Sequence, residues 1–297
     1  MAREEYDEFS LFHENAHEYD IPWQGPPAVR REFIDASDGR RVSALVWGGA
    51  DPELVLVHGG AQNAHTWDTV ALALDRPLVA LDLPGHGHSD WREDRRYWPV
   101  DNAQELARVL PELAPSPRLV VGMSLGGLTS IALAARHPQL VPRLALVDVT
   151  PGVDREKAAP IAAFVAGPER FASFDEILER TIAFNPTRTE SSLRRGVVHN
   201  ARADDDGSWT WRYDRWRLAE GEDMPDFRPL WDDVSNLTMP LMLVLGADSG
   251  VVGEEDVAEL RRRQPDVRVE VVEGAGHSVQ GDRPVELARL IESFLDG

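Results

Sequence analysis

Cutting an acyl bond without a cofactor takes three kinds of side chain: a hydroxyl that attacks, an imidazole that takes its proton, and a carboxylate that fixes the imidazole tautomer. The sequence offers each of them in a loop just past a short apolar run. Ser124 stands in Val120-Val121-Gly122-Met123-Ser124-Leu125-Gly126-Gly127, a strand-like run that passes into a helical pattern. Glycines on both sides of that serine admit a sharp strand-to-helix reversal, which would expose Oγ at a sheet edge. The Leu125 N–H would then lie at a helix N-terminus, where it can stabilise an oxyanion. His277 lies in Glu273-Gly274-Ala275-Gly276-His277-Ser278, and Asp248 in Gly246-Ala247-Asp248-Ser249-Gly250. A glycine-flanked serine alone fits an ordinary turn equally well. The order Ser124, Asp248, His277, each beyond a predicted strand, is what points to a nucleophile, its orienting acid and its base.

Three other loops invite chemistry. His58-Gly59-Gly60-Ala61 follows the run 54–57, and its glycines let the backbone present an N–H toward the serine. Gly60 is the expected second oxyanion donor and Ala61 the next choice, with His58 a structural imidazole beside them. Asp82-Leu83-Pro84-Gly85-His86-Gly87-His88-Ser89 follows the run 78–81. Asp82, His86 and His88 have the types of metal ligands, but a proline-glycine turn rich in polar groups is the plainer account, and no metal is expected. Asp148 follows the run 144–147 and is a second candidate for the acid.

These loops need a scaffold. Apolar runs at 54–57, 78–81, 119–121, 144–147, 241–245 and 267–272 alternate with helical patterns near 66–75, 101–113, 125–137, 253–264 and 284–295. That alternation predicts an α/β fold with a mostly parallel sheet whose active residues sit beyond the strands' carboxyl ends. Before it, runs at 29–34 and 41–47 joined through Ser37-Asp38-Gly39 predict a hairpin, and residues 1–27 an extended arm pinned by Trp23. The interval between Val147 and Leu241 breaks the alternation and is rich in aromatics, among them Phe164, Phe184, Trp211, Tyr213 and Trp216. A structureless loop of that length is improbable, so helices are expected near 154–166, 173–183 and 189–201, forming a lid. The expected division is a core over 1–150, an inserted helical lid over 151–235, and the rest of the core over 236–297.

Composition removes other classes. The 297 residues contain no cysteine, which excludes disulfides and thiol nucleophiles. The net charge of −20, from 51 acidic and 31 basic residues, argues against nucleic acid or an anionic membrane as partner. The acidic N-terminal stretch lacks the apolar core of a signal peptide, and no apolar run approaches the roughly 18 residues of a membrane span. A cytoplasmic protein without membrane partners is the expectation.

Together the His58-Gly59-Gly60 loop, Asp82-x-Pro84-Gly85-x-Gly87-x-Ser89, Gly122-x-Ser124-x-Gly126-Gly127, Gly246-x-Asp248 and Gly276-His277 resemble the α/β-hydrolase superfamily from about residue 29 onward. The resemblance implies that fold, a Ser124–His277–Asp248 triad, an oxyanion hole at Gly60 and Leu125, and no cofactor. Asp248 is preferred to Asp148 because Gly246-x-Asp248 matches the more usual arrangement, although some relatives take the acid from the Asp148 position. A serine at the elbow departs from the haloalkane dehalogenases and epoxide hydrolases, whose nucleophile is aspartate. The function implied is hydrolysis of a small carboxylic ester or lactone. The alternatives are carbon-carbon hydrolysis of a ring-cleavage product, and a slow-turnover ligand sensor on the same scaffold.

Overall fold

Short all-apolar runs can bury both faces only inside a sheet covered on each side by helices, and that is where they lie. The computed structural model describes residues 6–36, 38–153, 155–215 and 226–297. The strands in chain order are β1 (Val29–Asp35), β2 (Arg41–Trp47), β3 (Leu54–Val57), β4 (Leu78–Leu81), β5 (Leu119–Met123), β6 (Leu144–Val147), β7 (Arg170–Phe171), β8 (Ala201–Ala203), β9 (Trp209–Trp211), β10 (Leu241–Gly246) and β11 (Arg268–Val272). The helices are α1 (Phe12–Glu18), α2 (Asp68–Leu74), α3 (Pro99–Leu113), α4 (Leu125–Arg136), α5 (Arg155–Val165), α6 (Phe174–Phe184), α7 (Glu190–Asn200), α8 (Leu230–Ser235), α9 (Glu254–Arg263), α10 (Val279–Asp282) and α11 (Pro284–Asp296).

Among the described residues, eight strands form one sheet in the order β1-β2-β4-β3-β5-β6-β10-β11. β1 and β2 pair antiparallel from Val29 opposite Trp47 to Asp35 opposite Arg41, β2 meets β4 antiparallel, and every later pairing is parallel. The period-2 pleat sends alternate residues to opposite layers. Val55 and Val57 join Leu106, Ile131 and Leu133 beneath α3 and α4, whereas Leu54 and Leu56 join Trp67, Val70, Leu287 and Ile291 beneath α2 and α11. With both faces covered, the carboxyl ends of the parallel strands are left to carry the loops.

Between β6 and β10 the chain builds an inserted unit. Three expected helices are present as α5, α6 and α7, together with a small antiparallel sheet, β7-β9-β8, that the helical expectation lacked. Phe171, Ile177, Leu178, Leu193, Val197, Trp211 and Tyr213 give this unit a core of its own. Leu230, Trp231 and Val234 of α8, within the expected lid bounds of 151–235, pack into the main core. Trp216 lies outside the described residues, as does Ser37 of the hairpin turn.

The amino-terminal arm also differs from expectation. Part of it is helical, because Phe12 and Ala16 supply an apolar face that packs on the sheet, with the Phe12 ring 4.8 Å from that of Trp47. Trp23 is 42% exposed and its ring meets the arm's own His13, whereas Phe12, at 2%, is the anchor.

Candidate active site

Ser124 joins β5 directly to α4 with φ 50° and ψ −119°, a conformation an ordinary side chain occupies only when its surroundings impose it. The neighbours impose it by contact. A Cβ on Gly126 would lie 2.3 Å from the Val57 carbonyl oxygen and 2.5 Å from that of His58, and one on Gly122 would lie 2.6 Å from the Gly126 oxygen. The glycines flanking Ser124 therefore let helix α4 start hard against β3 and β5, which leaves the serine at the crest of the turn. From there it lines a cavity of about 1240 Å³, shared with His277, Gly60, Leu125 and the inserted unit's α5, α6 and α7.

His277 follows β11, and its Nδ1 is 2.8 Å from Oδ2 of Asp148. Asp148 is fully buried at the end of β6, in a left-handed conformation at φ 51°. Its carboxylate is held from two further sides, by the Gly246 N–H on Oδ1 at 3.2 Å and by the Ser249 hydroxyl on Oδ2 at 2.5 Å. A carboxylate only accepts, so Nδ1 of His277 carries the proton and Nε2 keeps a lone pair for a proton donor. The expectation that Asp248 would orient His277 is thus corrected. Asp248 is exposed, and although its backbone N–H binds the Ala275 carbonyl at 2.9 Å, its side chain makes no hydrogen bond to the histidine. The physical reason is depth: Asp148 leaves the sheet one strand inward and points its carboxylate under the His277 loop, while the turn after β10 carries Asp248 outward and offers Ser249 instead.

Gly60 and Leu125 are brought together. A Cβ on Gly60 would lie 3.9 Å from Leu125 Cδ2, and neither N–H has a backbone acceptor among the described residues. The Gly59 N–H, in contrast, is taken by Gln62 Oε1 at 3.2 Å. Ala61 adopts φ 58°, and its carbonyl accepts from Asn200 at 2.7 Å, which fastens this loop to α7. His58 is structural in its contacts: Nε2 accepts from the Leu83 N–H at 2.9 Å while Nδ1 donates to the Gly59 carbonyl. Burial, helped by neighbouring His86, lowers its pKa to about 3, so it is neutral.

In the Asp82 loop the side chains of Asp82 and His86 are engaged by the protein itself. Asp82 accepts from the Ala64 and His88 backbone N–H groups and from Arg31 at 2.6 Å. His86 bonds the Pro84 carbonyl at 3.0 Å. A different cluster, hidden from the sequence, gathers His65, Asp68 and His199 within 4.8 Å. Its two rings are stacked 3.7 Å apart and only 9° from parallel, so their nitrogens aim along parallel lines and not at one ion. His65 instead lies between Asp68 Oδ2 at 2.8 Å and Glu8 Oε1 at 3.0 Å. Burial alone would lower its pKa, but the two carboxylates outweigh it and raise it to about 9, giving a cation. Burial and that cation hold His199 well below the usual histidine range.

The sequence matches the alpha/beta hydrolase family over residues 54–290. The chain belongs to that family. Among its relatives, this hydrolase is 49% identical to the esterase Rv0045c of Mycobacterium tuberculosis over 298 residues, covering 98% of this chain and 96% of that protein. A crystal structure of the same esterase superposes with a TM-score of 0.85 over 98% of each chain. A more distant relative, the 2-(acetamidomethylene)succinate hydrolase of Mesorhizobium japonicum, is 28% identical over 252 residues, 84% of this chain and 89% of its own length. No helix among the described residues is long and apolar enough to cross a membrane.

Proposed function

We propose that this alpha/beta hydrolase is a serine esterase that cleaves a small carboxylic ester or lactone through an acyl-enzyme. Ser124 is the nucleophile, His277 the base and Asp148 the orienting acid. His277 Nε2 takes the Ser124 hydroxyl proton as Oγ attacks the carbonyl. The Gly60 and Leu125 N–H groups receive the oxyanion, and the same histidine returns the proton to the leaving alcohol before activating the water that frees the acid. The inserted unit serves as the lid that encloses the substrate. The observation that carries the reading is the buried Asp148–His277 pair at 2.8 Å, opening onto the same cavity as a serine held at φ 50°. Nearly half identity to a named esterase across the whole chain favours ester over carbon-carbon hydrolysis.

The test is sustained release of p-nitrophenol from short and medium acyl esters, with Ser124→Ala as the blank. Many turnovers per chain are expected. A single burst that stalls on every ester, or equal rates from the blank, would overturn the proposal.

A further inference from the structure

Among the described residues, three arginines, Arg188, Arg195 and Arg215, line the cavity that holds Ser124 and His277. Two are spent on protein acceptors. Arg195 binds Asn15 Oδ1 through Nε at 2.8 Å and Glu18 through Nη2, and Arg215 donates to the Gly167 carbonyl and lies 3.6 Å from Glu169. Arg188 differs. Its Nη2 donates to Ser192 Oγ at 2.6 Å, but its Nε is buried without a hydrogen-bond partner, and the carboxylate of Asp282 stands 3.9 Å away, a long ion pair beyond hydrogen-bond reach. Asp282 is already engaged by the Gly276 N–H at 2.8 Å, and burial raises its pKa above the usual carboxylate value. Burial also pulls the Arg188 pKa below the usual guanidinium range, as for a cation short of partners.

The position of this cation matters. It lies against Gly281 of α10, the short helix that follows His277. A Cβ there would come 2.7 Å from Nη1 and 2.8 Å from Cζ, so the bare glycine makes the room the guanidinium occupies. Leu128, Ile161, Phe164 and Phe184 add apolar surface to the same cavity.

We propose that Arg188 determines specificity by holding a carboxylate of the substrate, so that the preferred substrate is a monoester of an aliphatic dicarboxylic acid. A planar guanidinium matches a carboxylate's two oxygens, and the apolar surface accepts the methylenes between that end and the ester at Ser124. The chain's net charge of −20 repels an anion at a distance, so recognition has to be local, as a buried cation provides. This inference rests on the Ser124 chemistry proposed above.

The experiment compares monoethyl esters of linear dicarboxylic acids, succinate to suberate, with ethyl alkanoates of matching length, reading kcat/KM by acid release. The wild type is run beside Arg188→Gln, Arg188→Lys and Gly281→Ala, with Ser124→Ala as the blank. At one chain length the wild type prefers the monoester, and Arg188→Gln lowers the monoester-to-alkanoate ratio by about 10- to 100-fold, mainly through KM. Arg188→Lys restores part of the ratio, and Gly281→Ala lowers it by crowding the guanidinium. A ratio that Arg188→Gln and Gly281→Ala leave unchanged, or a wild type that prefers the neutral esters, overturns the proposal. If Arg188→Gln fails to fold, Arg188→Lys and Gly281→Ala decide. If neither ester class turns over above the blank, the Ser124 reading is what has failed. Calorimetric titration with the free dicarboxylates then judges Arg188 separately: about 10-fold weaker binding to Arg188→Gln supports the proposal, and equal binding overturns it.

Discussion

Changing Asp148 to asparagine replaces one oxygen by an NH₂ group, and the structure dictates which one. The Gly246 N–H donates to Oδ1 from a fixed backbone position, so the amide oxygen must stay there. The NH₂ then takes the place of Oδ2, facing His277 Nδ1 and the Ser249 hydroxyl, which can rotate to accept. A donor opposite Nδ1 forces the proton onto Nε2, and the imidazole can no longer receive the serine proton. A tautomer reversed in this way costs on the order of 10⁴ in kcat, about 5 kcal/mol of transition-state stabilisation. Asparagine tolerates the left-handed backbone found at 148, so the fold should survive the change. Asp248→Asn, on an exposed side chain without a bond to the histidine, should leave kcat within about threefold of wild type, in the range of surface substitutions. The assay is steady-state hydrolysis of a p-nitrophenyl ester by both variants, with thermal unfolding to confirm that each is folded. Near-normal kcat in Asp148→Asn, or an equal loss in Asp248→Asn, would refute the reasoning.

Ser124→Ala and His277→Ala should each remove ester hydrolysis to a similar extent, and the double variant should lose little more, since the pair acts as a unit; kcat for the three proteins tests this. Gly126→Ala drives a Cβ to within 2.3 Å of the Val57 carbonyl oxygen and should cost about 3 kcal/mol or block folding, as read by urea denaturation. His65 gives a pH signature. Its folded pKa, raised to about 9, means that its contribution is complete below the unfolded value near 6.5 and is lost as pH climbs through 9. The stability gap between wild type and His65→Gln should therefore be widest at pH 6 and shrink by pH 9.5; a gap independent of pH in denaturant titrations would contradict the cationic assignment.

Much of this was legible in the residues. All six apolar runs became strands: five are unbroken stretches of three to five apolar residues that can be satisfied only between two helical layers, the sixth, in β11, alternates with charged residues at the sheet edge, and the elbow was marked by glycines that no side chain could replace. The acid was harder. Asp148 and Asp248 both follow strands, and what separates them is burial and the direction of a carboxylate, neither of which spacing encodes. The amino-terminal helix escaped because its apolar face is two residues wide, Phe12 and Ala16, among charged neighbours. The strands β7, β8 and β9 escaped because segments of two or three residues carry no measurable period. The cluster around His65 draws its members from positions 8, 65, 68 and 199, so only the folded chain brings them together.

That cluster ties the arm to the inserted unit. Tyr6 bonds His199, Glu8 bridges His65 and Arg31, Glu18 holds Thr189 and Arg195, and Tyr19 reaches the Gly281 carbonyl at 3.0 Å. The arm thus works as a stitch between the two ends of the gene's core-encoding segments and the insertion between them. For protein engineering this sets the smallest transferable part. Grafting residues 155–215 onto another hydrolase would strand Arg195 and His199 without the groups that hold them, whereas a graft that brings the arm along carries its own fastening.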